Sequence, residues 1–117
     1  MSMKIACLGG GPAGLYFAIS MKLRDASHDI TVIERNRADD TFGWGVVLSD
    51  ETLANLKNND PVSAEAIQKF FAYWDDIALV HRGERLVSSG HGFCGMSRKR
   101  LLEIFHDRCR ELGVELK

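Results

Sequence analysis

The chain opens with a short unbroken apolar run, Ile5-Ala6-Cys7-Leu8, whose lack of alternation predicts a strand buried on both faces. A glycine-rich turn follows. Residues 12–24 are then apolar almost all round, with Leu15, Tyr16, Phe17, Ala18, Ile19, Met21 and Leu23. This predicts a helix packed on more than one side, with Pro12 in its first turn, where a missing N–H costs least. A polar turn at 25–29 leads into the β-branched run Ile30-Thr31-Val32-Ile33, a second strand that ends on Glu34. Residues 3–34 therefore read as a β-α-β unit.

Beyond it, 35–40 is a polar loop, and 42–48 is an aromatic-glycine segment that precedes a clear helix start. Ser49 can cap that helix, Asp50 and Glu51 suit its positive end, and Leu48 can staple to Leu53. It is expected to run to about residue 57, with 58–60 as a break. Asp60-Pro61 then starts another, with Ile67, Phe70, Phe71 and Trp74 on one side, so 49–74 reads as a helical segment. From residue 77 the pattern changes to strands: 77–82, a turn at Gly83-Glu84, 85–89, and a third over 91–96. Ser97 caps a last helix over 97–112, whose Leu101, Phe105, Cys109 and Leu112 form a stripe at helical spacing. Gly113 ends it as a left-handed cap, and 114–117 begins another strand.

The turn after the first strand carries Gly9, Gly11 and Gly14 in the spacing G-x-G-x-x-G. Alone, that spacing is weak evidence; between a strand and a helix, with an acid ending the next strand, it predicts a dinucleotide site. Gly9 permits the tight turn, Gly11 admits a pyrophosphate close to the backbone, and Gly14 clears space where helix meets strand. The positive helix end faces the phosphates. Glu34 can accept hydrogen bonds from both hydroxyls of an adenosine ribose. Arg35 and Arg37 raise the thought of a 2′-phosphate, but Glu34 would repel one, so FAD or NAD fits better than NADP. The fold class is α/β, a Rossmann-like βαβ arrangement with a small β excursion. Such a sheet needs further strands, so the unit is expected to be incomplete.

Composition narrows the function. The chain has 117 residues, enough for one domain, and a formal net charge of −1, with no basic run suited to nucleic acid. No apolar run is long enough to span a bilayer, and the N-terminus lacks a signal-peptide pattern. Three cysteines with no CxxC pair make neither a disulfide framework nor a zinc site, and Cys7, Cys94 and Cys109 read as core filler. His28, His81, His91 and His106 lack metal-ligand spacing and read as surface or structural residues, so no metal is expected. A reduced, cytoplasmic protein is expected.

Four segments narrow it further: GGGPAGL at 9–15, VIERN at 32–36, FGWGVVLSD at 42–50 and CGMSRKRL at 94–101. Through them the chain resembles the N-terminal part of class A flavin-dependent aromatic monooxygenases, the para-hydroxybenzoate hydroxylase family. It is most similar to the branch of salicylyl-CoA 5-hydroxylases and anthraniloyl-CoA monooxygenases, which act on aromatic acyl-CoA thioesters. GGGPAGL is shared by many flavoproteins, whereas FGWGVVLSD is much narrower.

The resemblance implies a glutathione-reductase-type FAD-binding fold, with 1–117 as its N-terminal part. It implies an enzyme that uses FAD, NAD(P)H and oxygen to hydroxylate a small aromatic substrate. By the same resemblance Gly9, Gly11, Pro12, Ala13 and Gly14 form the phosphate turn, Glu34 holds the ribose, and Arg35 lies beside the adenine. Gly43, Trp44, Gly45 and Val46 correspond to the loop that passes the flavin. Arg98, in the pattern S-R-x-x-L, corresponds to an arginine near the ribityl chain and pyrophosphate, with Arg100 as the alternative. A second FAD motif of that family lies beyond residue 117, and no catalytic residue is named. This chain alone is therefore expected to be inactive, to hold FAD weakly or not at all, and to self-associate through uncovered surfaces. Two other readings remain open: an NAD-binding module of another oxidoreductase, and a non-catalytic, self-associating fragment.

Overall fold

The computed structural model describes residues 1–37, 39–40 and 43–117; Ala38, Thr41 and Phe42, the last from the aromatic-glycine segment, lie outside the described residues. In chain order the elements are β1 (Lys4–Leu8), α1 (Pro12–Arg24), β2 (Asp29–Ile33), β3 (Gly45–Ser49), α2 (Asp50–Asn59) and α3 (Pro61–Gln68). There follow β4 (Ala72–Trp74), β5 (Ile77–His81), β6 (Glu84–Ser88), β7 (Phe93–Ser97), α4 (Arg98–Glu111) and β8 (Glu115–Leu116).

The β-α-β unit forms as its pattern dictates. β1 and β2 pair in parallel from Lys4–Asp29 to Leu8–Ile33, and β8 adds to the other side of β2, giving the order β1-β2-β8. α1 and α4 pack on one face of this sheet. Ile30 and Val32 of β2 meet Leu15, Ala18 and Ile19 of α1 and Leu101, Leu102, Phe105 and Cys109 of α4 in the core. Burial pushes the Cys109 thiol up to about 11, and Sγ lies 3.7 Å from the Leu15 carbonyl, so it is an inert packing group.

Two expectations about this unit are corrected. β1 is not buried on both faces: Ile5 and Cys7 are half-buried, while Ala6 and Leu8 are exposed. The reason is that β1 lies at the sheet edge and helices cover one face only. α1 is likewise packed on one side, and its Phe17 and Leu23 remain exposed.

The second sheet is antiparallel, in the order β3-β7-β4. Val46, Leu48, Cys94 and Met96 turn toward the core, and Val47 faces away, exposed. Here the helical reading of 49–74 fails beyond Gln68. Tyr73 and Trp74 pair with Cys94 and Phe93 of β7, and the Trp74 ring lies across Gly95, where an added Cβ would sit 3.0 Å from the ring carbons. A short apolar run such as 70–74 suits either period, and tertiary pairing decides it. The strand at Gly45–Ser49 is not anticipated by the sequence pattern either, because its three consecutive apolar residues, Val46-Val47-Leu48, show no alternation.

β5 and β6 form a separate two-stranded hairpin. Its turn is Arg82-Gly83, one residue earlier than Gly83-Glu84, and both central residues take positive φ, as a type I′ turn requires. Arg82 has φ 50° and Gly83 has φ 81°. The predicted caps form: Ser49 Oγ accepts from the Thr52 N–H (3.2 Å), and Ser97 Oγ from the Arg100 N–H (3.0 Å). Among the described residues, no helix is long and apolar enough to cross a membrane.

Candidate functional site: a phosphate turn beside an open cavity

The three glycines have different reasons to be glycine. Gly9 takes φ 115°, a conformation an L side chain rarely adopts. At Gly14 an added Cβ would run into the Gly9 carbonyl oxygen, so the first turn of α1 closes onto the loop only without one. Gly11 meets neither constraint. Its backbone is extended (φ −76°, ψ −178°), and the nearest atom to an added Cβ is Arg98 Nη2, 4.0 Å away. Nothing within the described residues requires glycine there, and the space above it is open.

That space is the mouth of a cavity of about 200 Å³. Its wall takes Gly10 and Gly11 from the turn, Val32 and Glu34 from β2 and its end, and Arg98, Leu102, His106 and Arg110 from one face of α4, spaced i, i+4. Asn36, Arg37, Asp40, Leu116 and Lys117 complete the far side. Cations outnumber carboxylates around it, with Arg37, Arg98, Arg110 and Lys117 against Glu34 and Asp40. The N-terminus of α1 adds to this field. Gly11, its N-cap, has no side chain to cap it, no acid lies in its first turn, and the first internal bond runs from the Leu15 N–H to the Gly11 carbonyl. The Ala13 and Gly14 N–H groups thus have no partner from within the helix.

Arg98 stands opposite that helix end. Its own N–H donates to the Trp44 carbonyl (3.3 Å), which sets the start of α4 against the segment at Gly43 and Trp44. Its Nε is buried and, among the described residues, has no hydrogen-bond partner. A buried guanidinium nitrogen without an acceptor is costly, so an oxygen acceptor at this place would repay the burial. Glu34 is held in place by both oxygens. Oε2 accepts from the Gly10 N–H (3.0 Å), and Oε1 accepts from the Asn36 N–H and side-chain amide (3.2 and 3.4 Å). The Gly10 bond first, then that of Asn36, holds the Glu34 carboxyl below its ordinary value, so it is an anionic acceptor at neutral pH. Burial, and then the neighbouring Arg110, hold His106 below its ordinary value, so it stands in the wall as a neutral ring.

The structure thus brings Gly11, Glu34 and Arg98 around one opening, with Pro12 and Ala13 in the adjoining helix turn and Gly43 beside Arg98, whose Cδ is 3.8 Å from where a Cβ at Gly43 would sit. Other sequence candidates lie elsewhere. Arg35 is exposed and outside the cavity wall, where Arg37 takes a place. Trp44 is fully exposed, and Val46 packs toward the core. Arg100 points to the opposite side of α4, over the Phe70 ring at 4.5 Å and paired with Glu103. His28 is buried and accepts from the Met3 N–H (3.0 Å), while among the described residues no cluster of His, Cys, Asp or Glu is placed to hold a metal ion. Sequence reading missed Gly10, Asn36, Leu102, His106 and Arg110. The second stripe of α4, 98-102-106-110, was the signal for three of them.

The residues fit an adenosine diphosphate group: open backbone and helix N–H groups for the phosphates, a buried guanidinium nitrogen lacking an acceptor, and a fixed carboxylate for ribose hydroxyls.

Comparison with known proteins agrees with the motifs. The chain is 45% identical over 115 residues to a salicyloyl-CoA 5-hydroxylase from a Streptomyces species, covering 98% of this chain and 22% of that protein. It is 35% identical over 118 residues to a protodeoxyviolaceinate monooxygenase from Chromobacterium violaceum, covering 98% of this chain and 31% of the relative. The chain thus spans between a fifth and a third of the length of these curated relatives. Among solved structures, p-nitrophenol 4-monooxygenase from Pseudomonas putida matches 100% of this chain and 32% of its own, with a TM-score of 0.83 at 19% identity. A 2-methyl-3-hydroxypyridine-5-carboxylic acid oxygenase matches 99% of this chain and 30% of its own, with a TM-score of 0.81 at 23% identity. At that identity the likeness establishes the fold: a Rossmann-type α/β unit. The family model of the pyridine nucleotide-disulphide oxidoreductases matches residues 3–116, and the chain belongs to that family.

Proposed function

We propose that this chain is the N-terminal, FAD-binding portion of a cytoplasmic flavoprotein monooxygenase that hydroxylates a small aromatic substrate carried as an acyl-CoA thioester. The observation that carries the cofactor reading is Arg98, whose buried Nε has no partner among the described residues and whose Nη2 lies 4.0 Å from where a Cβ at Gly11 would sit, leaving room for a close-approaching group. The names of the relatives, a hydroxylase of a CoA thioester and a monooxygenase, support the reaction class. FAD, when bound, supplies the redox chemistry, with NAD(P)H as reductant and O2 as oxidant. The chain's own residues bind and orient. The Ala13 and Gly14 N–H groups and Arg98 neutralise the two phosphates. Glu34 accepts from the ribose hydroxyls while keeping its bond to the Gly10 N–H, so ribose and phosphate turn are held in one register. Leu102 and Leu116 give the cavity wall apolar surface against which a base can lie.

The test is a titration of the chain with ADP, followed by amide NMR shifts and repeated with FAD. Amide shifts on adding ADP are expected at residues 9–11, 13, 14, 34 and 98. Arg98→Ala should weaken ADP roughly tenfold and adenosine much less, because the lost charge-assisted bond goes to phosphate. Glu34→Ala should weaken both ligands by roughly tenfold, since the ribose is common to them. ADP shifts that fall outside this cavity, or that survive both substitutions unchanged, would refute the assignment.

A further inference from the structure

Glu34 and Asn36 stand together in the cavity wall, and the bonds around them leave the carboxylate almost fully used. The Glu34 side chain folds back over its own backbone, so that Oε1 accepts from the Asn36 N–H (3.2 Å), the closure of an Asx turn made with one more carbon. The Asn36 side-chain amide donates to the same oxygen (3.4 Å). On the other side, Oε2 accepts from the Gly10 N–H (3.0 Å). A carboxylate offers about four lone-pair sites, shared equally by its oxygens. Among the described residues, Oε1 thus has both of its sites taken, and Oε2 keeps one open.

An adenosine ribose brings a cis-diol, and each hydroxyl has a proton to donate. The first meets the open site on Oε2. The second needs a site that an N–H group already holds, and the three donors are not equal. The Gly10 and Asn36 backbone groups are fixed by the main chain. The stretch after Asn36 is closed by the Arg37 N–H to Asp40 Oδ2 (3.2 Å) and the Asp40 N–H to the Arg37 carbonyl (3.0 Å). The Asn36 amide, by contrast, hangs on a rotatable side chain and makes the longest of the three bonds. Asn36 is half-buried, so a released amide can turn to water and leave no buried donor unpaired.

We propose, on the reading that Glu34 receives the adenosine ribose, that the Asn36 side-chain amide is a placeholder for the second ribose hydroxyl. It fills Oε1 while the site is empty and yields that oxygen when a cis-diol binds. Asn36 is in this sense a positioning residue that acts on the ligand through Glu34. Without nucleotide, the amide keeps Oε1 paired and the carboxylate turned to the cavity. With nucleotide, one N–H donor is exchanged for one O–H donor, so the second hydroxyl is recognised only by the difference between the two bonds. A ligand with a single hydroxyl takes the open site on Oε2 and leaves Asn36 where it is.

The experiment compares ADP with 2′-deoxy-ADP and 3′-deoxy-ADP, each titrated into the chain and followed by NMR. ADP should bind more tightly than either deoxy form. Asn36→Ala should widen that preference by roughly threefold, because the second hydroxyl no longer has to displace a donor. A change in folding or loop position would alter the affinity for all three ligands alike and cancel in the ratio. In the unsubstituted chain, the Asn36 side-chain amide resonances should move on saturation with ADP and stay in place with the deoxy forms. A preference that is unchanged or narrowed in Asn36→Ala, or amide resonances that move alike with all three ligands, would overturn the placeholder role and leave Glu34 as the ribose acceptor. Absence of ADP binding, or equal affinity of the unsubstituted chain for the three ligands, would remove the ribose assignment and the placeholder role with it.

Discussion

Gly11→Val is expected to lower the affinity for ADP and FAD by roughly two orders of magnitude or more while leaving the folded chain almost as stable as before. The two halves of that outcome have separate causes. Gly11 sits in extended backbone that a β-branched residue adopts readily, and its nearest side-chain neighbour is the movable end of Arg98, 4.0 Å from an added Cβ. The melting temperature should therefore move by no more than about 2–4 °C. The two methyl groups of valine, however, occupy the space between the α1 N-terminus and Arg98, where the phosphates would lie. Gly14→Ala is the contrasting variant. Its Cβ meets the Gly9 carbonyl oxygen, which is backbone and cannot swing aside, so α1 must back away from the turn. That is overpacking of a rigid junction, with a cost of about 1–3 kcal/mol or more. Calorimetric melting paired with ADP titration separates the cases: Gly11→Val loses binding but not stability, and Gly14→Ala loses stability. A Gly11→Val chain that binds ADP normally would place the phosphates elsewhere.

What the sequence made legible follows the range of the interactions involved. The β-α-β unit, the caps at Ser49 and Ser97, and the stripe of α4 rest on contacts within a few residues, and each formed where its local pattern placed it. The strands at Gly45–Ser49 and Ala72–Trp74 rest on pairing with β7, across gaps of some 20 to 50 residues, and local periodicity could not reveal them. The site divides in the same way. Gly9, Gly11, Gly14 and Glu34 share a motif and were read together. Arg98 was placed by resemblance, and the lack of a partner for its Nε among the described residues is visible only in three dimensions. Asn36 and Gly10 escaped notice because they act through Glu34 rather than by residue type. His106 and Arg110 escaped because attention to one face of α4, the buried one, hid the other.

Asp60 shows the same blindness with the largest energetic consequence. By sequence it marks a break between two helices; in the fold it is 1% exposed and joins them to α4. Arg108 grips it with two bonds, Nε to Oδ2 at 2.9 Å and Nη2 to Oδ1 at 3.0 Å, and Ser63 Oγ donates to Oδ2 at 2.5 Å. Burial alone would raise the Asp60 carboxyl, but the bonds from Arg108 and Ser63 outweigh it and hold the group below its ordinary value. A carboxyl lowered on folding contributes stability that is present above its unfolded pKa of about 3.9 and is lost as pH falls through the folded one. Melting temperature should thus drop as pH falls below about 4, with this pair as a main cause. Asp60→Asn keeps the shape and removes the charge, leaving Arg108, among the described residues, with only the exposed Glu111 at 3.1 Å as an anionic partner. Breaking one side of a buried pair costs about 3–5 kcal/mol, and the retained Glu111 contact places this variant near the lower end. Its stability should also vary less with pH below about 4, because the titrating group is gone. Urea unfolding of both proteins at neutral pH and in mild acid measures both effects. Equal stability at neutral pH, or an unchanged acid slope in Asp60→Asn, would mean that α2 and α3 are held to α4 by apolar contact through Ile67 and Ile104 and not by this ion pair.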